Sequence, residues 1–225
     1  MTTLEQVPFG NMEFADNPEP RCACLLLLDT SGSMKGEKID QLNAGLNDFA
    51  RQLRGDSMAA KRVEVAVITF GPVEVVQPFV TADTFLAPDL KAEGDTPMGA
   101  AIVRAAELIS ERKKAYRANG IGYYRPWIFM ISDGEPTDSI TAAADLIRKG
   151  EAKKSFMFYA VGVENADIAS LAKVSARQPL RLKGLKFGQL FVWLSDSLSS
   201  VSRSQPSDAP ALTNPAAPDG WASAE

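Results

Sequence analysis

Histidine is absent from all 225 residues. Without imidazole, Ser-His-Asp and Cys-His triads cannot be assembled and no His-ligated metal site can form. Cysteine is scarce, with Cys22 and Cys24 the only two. A C-x-C pair with no other Cys or His cannot complete a soft-metal site. Two apart on an expected strand, they point to one face and read as small core residues. Positive charge is not in excess: 24 Lys and Arg face 28 Asp and Glu, a net charge of −4. That balance, with no long basic run, leaves no electrostatic footprint for nucleic acid. Long hydrophobic runs are missing too, since Leu25 to Leu28 is far too short to span a bilayer. Glu5, Glu13 and Asp16 stand where a secretory signal needs a basic start and an apolar stretch. A cytoplasmic location with no membrane partner is expected. No G-x-x-x-x-G-K-[ST] loop occurs, which argues against nucleotide hydrolysis.

What remains is an alternation of strand and helix signals. A polar, Pro-containing lead occupies residues 1–20, one domain is expected over 21–203, and 204–225 reads as a disordered tail rich in Pro, Ala, Ser and Asp. Trp221 is the one aromatic side chain of that tail; a loose tail is expected, though the indole could dock on the domain or on a partner. The alternation implies an α/β fold: a doubly wound, mostly parallel six-stranded sheet with one antiparallel edge strand and helices on both faces. Strands are expected up to Asp29, over 63–70, 73–78, 127–132 and 155–163. The connection at Gly71-Pro72 is short enough to force antiparallel pairing, and Pro78 suits an edge. Ile39, Leu42, Leu46, Phe49, Ala50 and Leu53 recur at helical spacing, leaving Lys38, Asp40, Asn47 and Arg51 toward water. Further helices are expected from Pro97, over 138–149, over 167–175 and from Phe187 to Val201. The first of these closes with Arg112, Lys113, Lys114 and Arg117, cations that suit a helix carboxyl end.

Three strand ends carry the chemistry. Leu25-Leu26-Leu27-Leu28-Asp29-Thr30-Ser31-Gly32-Ser33 runs a buried strand into a carboxylate and two hydroxyls at alternate positions. These are hard oxygen donors, suited to Mg²⁺, Mn²⁺ or Ca²⁺. One carboxylate among three donors leaves such a cation under-neutralised, so further oxygen ligands are needed. Gly94-Asp95-Thr96-Pro97-Met98-Gly99 offers Thr96, which precedes a proline and reads as a helix N-cap. Trp127-Ile128-Phe129-Met130-Ile131-Ser132-Asp133-Gly134 repeats the pattern of a strand ending in aspartate and glycine. Any one of these segments alone would be read as a cap or a turn. Their agreement in type and order is what points to a metal site.

In order, spacing and setting, Asp29, Ser31, Ser33, Thr96 and Asp133 resemble the metal-ion-dependent adhesion site of von Willebrand factor type A domains. Asn17-Pro18-Glu19-Pro20-Arg21, the segment 94–101, Tyr123-Tyr124-Arg125-Pro126-Trp127-Ile128 and Leu190-Phe191-Val192-Trp193-Leu194-Ser195 look like bacterial TerY-like members, in particular the YegL branch. The resemblance implies neighbouring strands for Asp29 and Asp133, flanking the crevice where strand order reverses. It also implies Ser31 and Ser33 as direct ligands, Thr96 as direct or water-linked, and Asp29 and Asp133 acting largely through water. One metal position would stay open for an Asp or Glu carboxylate from a protein partner, with Mg²⁺ the expected ion and Mn²⁺ or Ca²⁺ the alternatives. TerY-like proteins further imply a bacterial stress-response or phosphorylation setting beside PP2C-type phosphatases and Ser/Thr-type kinases.

Two rival readings use the same residues. A haloacid-dehalogenase-like phosphatase would also place Asp29 at a strand end, with Thr96, Asp133 and Asp138 downstream. It needs an acid/base aspartate two residues after the nucleophile, and that position is Ser31. A scaffold whose metal is purely structural is the other, and in it Glu135 could supply an internal carboxylate. The expectation is a binding module and not an enzyme.

Overall fold

A computed structural model describes residues 12–164, 166–206, 208 and 210–223. In chain order the elements are α1 (Met12–Asp16), β1 (Cys22–Asp29), a 3-10 turn at Gly32–Met34, α2 (Glu37–Gly55), α3 (Ser57–Arg62), β2 (Val63–Phe70) and β3 (Glu74–Thr81). There follow α4 (Met98–Ala118), β4 (Trp127–Ser132), α5 (Thr141–Ala152), β5 (Met157–Gly162), α6 (Ile168–Val174), β6 (Leu180–Leu182), α7 (Phe187–Arg203) and β7 (Ala222–Ser223).

The strands form one sheet in the order β3-β2-β1-β4-β5-β6-β7. β1 pairs in parallel with both β2 and β4, while β3 runs antiparallel along the β2 edge. The continuous apolar run of β1 follows from burial on both faces. Cys22, Cys24, Leu26 and Leu28 pack into one core with α2 and α7, and Ala23, Leu25 and Leu27 pack into a second with α4, α5 and α6. Both cysteines are free and buried, and burial, with Glu64 nearby, pushes the Cys22 thiol up to about 12, where it is an inert apolar filler.

Strand order reverses between β1 and β4. β1 is followed by β2 on one side, and β4 by β5 on the other, so the carboxyl ends of β1 and β4 flank the crevice in which open α/β sheets bind ligands. Leu28 is in register with Ile131, which brings Asp29 beside Ser132 and the loop that begins at Asp133.

The end of the chain departs from the sequence expectation. Residues 210–223 lie along α7: Trp221 is buried, its ring 5.6 Å from that of Trp193 and 6.5 Å from that of Phe129. Trp193 Nε1 donates to the Thr213 carbonyl at 2.7 Å, and Ala222–Ser223 adds an antiparallel seventh strand to β6. Burial of one indole and the pairing of an otherwise open sheet edge hold a segment whose composition alone reads as disordered.

At the opposite end of the sheet, Glu64 of β2 is buried and ion-paired with Arg21 at 2.8 Å and Arg112 at 2.7 Å, and Tyr116 donates to it as well. Arg21 also donates to the carbonyls of Asn17 and Glu19, which fixes the lead segment to the domain. Arg112 is therefore committed to the interior, and Lys113 donates to the Ser155 carbonyl, so these cations of α4 serve packing.

Candidate metal centre

The site is assembled from three loops at the crevice. Asp29, the last residue of β1, is fully buried, with Oδ1 accepting from the Ser31 backbone N–H at 2.9 Å and Oδ2 from the Ser132 hydroxyl at 2.5 Å. Burial drives its carboxyl above the usual carboxylate value, with Asp133 nearby adding to the shift; the hydrogen bonds from Ser132 and Ser31 recover only part of it. A buried carboxylate in this state is stabilised by an adjacent cation.

Ser31 Oγ lies 3.0 Å from Ser33 Oγ, and Ser33 Oγ donates to Asp133 Oδ1 at 2.7 Å. The β1–α2 loop keeps this shape because neighbouring loops close over it. Thr30 O accepts from Glu93 N at 2.7 Å and Gly32 N donates to Gly94 O at 3.0 Å. Gly71 must be glycine here: its φ is 135°, and a Cβ would stand 2.8 Å from Ser31 N.

Thr96 is delivered by the long segment between β3 and α4. Asn43 of α2 clamps that segment through both the amide N and the carbonyl O of Leu90, at 3.0 and 2.9 Å. The structure corrects the expectation that Thr96 caps α4. The helix starts at Met98, and its first free N–H groups, on Gly99 and Ala100, donate instead to the Asp138 carboxylate at 2.9 and 2.8 Å. An anion at a helix amino end satisfies orphan donors and the dipole together. The Thr96 hydroxyl is thereby left for the crevice, while its carbonyl accepts from Thr137 N at 2.9 Å.

Gly134 shows where the three loops converge. A Cβ there would sit 3.3 Å from Thr96 Oγ1 and 3.6 Å from Ser33 Oγ, so glycine keeps the gap between those hydroxyls clear. All five residues singled out in the sequence thus gather around one cradle. Its donors are hydroxyl and carboxylate oxygens, which fit a hard divalent cation. Among the described residues no cluster of three His, Cys, Asp or Glu has metal-holding geometry; the cradle has three hydroxyls and two carboxylates.

Three participants escaped sequence reading. Ser132, inside a strand pattern, holds Asp29. Lys38, expected to face water, bends back so that Nζ lies 2.5 Å from Asp133 Oδ2. Glu164, beyond β5, meets the same ammonium at 3.2 Å. Only the proximity of Lys38 to the Ser33 loop hinted at this. Glu135 is exposed and solvated.

The sequence model of the von Willebrand factor type A domain matches residues 25–183. The chain belongs to this family. Solved structures share its fold at low identity. The vWF domain of the type V pili tip protein Mfa5 from Porphyromonas gingivalis has 12% identity and a TM-score of 0.63, covering 83% of this chain and 98% of its own. The pilus adhesin SpaC from Lactobacillus rhamnosus GG, in an open conformation, has 11% identity and a TM-score of 0.65, over 82% of this chain and 31% of that one. Proximal thread matrix protein 1 from the mussel byssus, with a zinc-occupied MIDAS motif, has 15% identity and a TM-score of 0.55, over 81% and 49%. The chain thus spans about half of the mussel protein and under a third of the adhesin. No curated protein matches it.

Proposed function

We propose that this von Willebrand factor type A domain is a divalent-cation-dependent protein-interaction module. The observation that carries the reading is the convergence of Ser31, Ser33, Thr96 and Asp133 on one cradle at the sheet's switch point, backed by the buried Asp29. Ser31, Ser33 and Thr96 would hold the ion, with Asp29 and Asp133 supplying charge. The zinc-occupied MIDAS motif of the mussel protein supports metal capacity in such a motif. Oxygen donors favour Mg²⁺, with Mn²⁺ or Ca²⁺ next. A cation held mostly by neutral hydroxyls remains under-neutralised and attracts a carboxylate, so the partner offers an Asp or Glu.

The chain is not an enzyme on this reading. Asp29, the only candidate nucleophile of the phosphatase alternative, has both carboxylate oxygens engaged and no exposed surface. The likeness of residues 17–21, 94–101, 123–128 and 190–195 to TerY-like proteins of the YegL branch supports a bacterial stress-response or phosphorylation setting. A PP2C-type phosphatase or a Ser/Thr-type kinase is then the partner to try first. Among the described residues no helix is long and apolar enough to cross a membrane.

The test is thermal unfolding of EDTA-stripped protein titrated with Mg²⁺, Mn²⁺ and Zn²⁺, beside Ser31→Ala/Ser33→Ala. Metal at ten times its Kd stabilises by about 1.4 kcal/mol, or roughly 3–6 °C for a domain of this size. A shift confined to the wild type supports the reading; equal behaviour of the two proteins refutes it. Binding of a Glu-containing peptide that needs metal and is lost in EDTA separates an interaction site from a structural one.

A further inference from the structure

The cradle already faces one cation of the chain's own making. Lys38, in the first turn of α2, sends its ammonium 2.5 Å from Asp133 Oδ2, 3.2 Å from Glu164 Oε2 and 3.3 Å from the Ser33 carbonyl. Its side chain is 22% exposed and that of Asp133 only 1%, so much of the pair is shielded from water. Three elements contribute to this arrangement: α2 the ammonium, the β4 loop one carboxylate and the β5 loop the other. Asp133 also accepts from Ser33 Oγ, so the ammonium and one of the site's hydroxyls hold the same carboxylate from two sides.

We infer that Lys38 is a tethered competitor of the divalent ion: its ammonium neutralises and orients Asp133 in the metal-free site and lowers the site's affinity for metal. The inference rests on the metal reading above. The argument is electrostatic. Asp29, Asp133 and Glu164 bring three negative charges to the crevice, and Lys38 returns one positive charge where a dication must be bound. Replacing the ammonium by a neutral group removes repulsion on the incoming ion and frees Asp133. Replacing it by another cation does neither.

The experiment is calorimetric titration of MgCl₂ and MnCl₂ into the EDTA-stripped 225-residue chain, for wild type, Lys38→Met, Lys38→Gln, Lys38→Arg and Lys35→Met. Lys35 lies in the β1–α2 loop, three residues before Lys38, and is exposed, so its variant controls for net charge alone. At the effective dielectric of a partly buried site, removal of a unit charge a few Å from a dication should lower Kd about tenfold or more in the Met and Gln variants. Lys38→Arg and Lys35→Met should stay within about twofold of wild type if the effect is local. Metal-free melts should show the Met and Gln variants less stable than wild type, and metal should close that gap. Should Lys38→Met fail to fold, the Gln variant decides. Wild-type binding with equal or weaker binding by the neutral variants overturns the inference and leaves the metal site standing. Absence of binding by every protein overturns both.

Discussion

The Ser132 hydroxyl, at the end of β4, donates a 2.5 Å hydrogen bond to Asp29 Oδ2 at the end of β1. It joins the two strands between which sheet order reverses, and it settles the orientation of the carboxylate beneath the cradle. Ser132→Ala should leave that oxygen buried without a donor, at a cost of about 1–3 kcal/mol in chemical denaturation. Metal titration should show weaker binding in the same variant.

The pH dependence of the metal-free protein follows from Asp29. Its folded-state carboxyl titrates above the ordinary carboxylate value, chiefly because it is buried. Between the two values the folded state holds the proton that the unfolded state has lost, so stability falls as pH rises through that window and the loss persists above it. Asp29→Asn removes this penalty. Metal-free melts from pH 3 to 8 should therefore show the variant losing less stability than wild type across that interval, and at neutral pH being as stable or more so. Its metal response should be reduced.

Asp138 caps α4 from a different loop. Asp138→Ala should cost about 1–2 kcal/mol, the range for a lost helix cap with its charge. Because Thr137 N binds the Thr96 carbonyl from the adjacent position, the Thr96 loop should loosen and metal affinity should drop. Urea unfolding and metal titration of one preparation check both outcomes.

Gly134→Ala separates the cradle from the fold. The new methyl would stand 3.3 Å from Thr96 Oγ1, close enough to narrow the gap and too far to disrupt the core. Stability should change by less than about 1 kcal/mol. The thermal shift on adding metal should shrink or vanish.

Trp221 ties the end of the chain to α7 and Phe129. Trp221→Ala should lower stability by about 3 kcal/mol, at the lower end for loss of a buried aromatic ring because its indole N–H has no partner among the described residues. Trp221→Phe should cost less, as it removes that unpaired donor. Hydrogen exchange at β6 should quicken in the Ala variant.

Local pattern in the sequence determined the class of fold and singled out the five oxygen-bearing side chains that the structure gathers at the crevice. Unbroken apolar runs such as Leu25 to Leu28 signal strands buried on both faces, and the helical stripe from Ile39 to Leu53 fixes which side of α2 is covered. Asp29, Ser31 and Ser33 lie within five residues, so their spacing is visible without a fold. Long-range partners have no local signature. Nothing near Asp138 says that it will cap a helix beginning forty residues earlier, and nothing near Trp221 says that a Pro-rich segment will close a sheet edge. Lys38 reads as a solvated helix residue because its periodic position faces outward; the carboxylates that draw it back, Asp133 and Glu164, arrive on other loops. Tertiary structure decided these, because electrostatic and capping interactions act between groups that are close in space and distant in sequence.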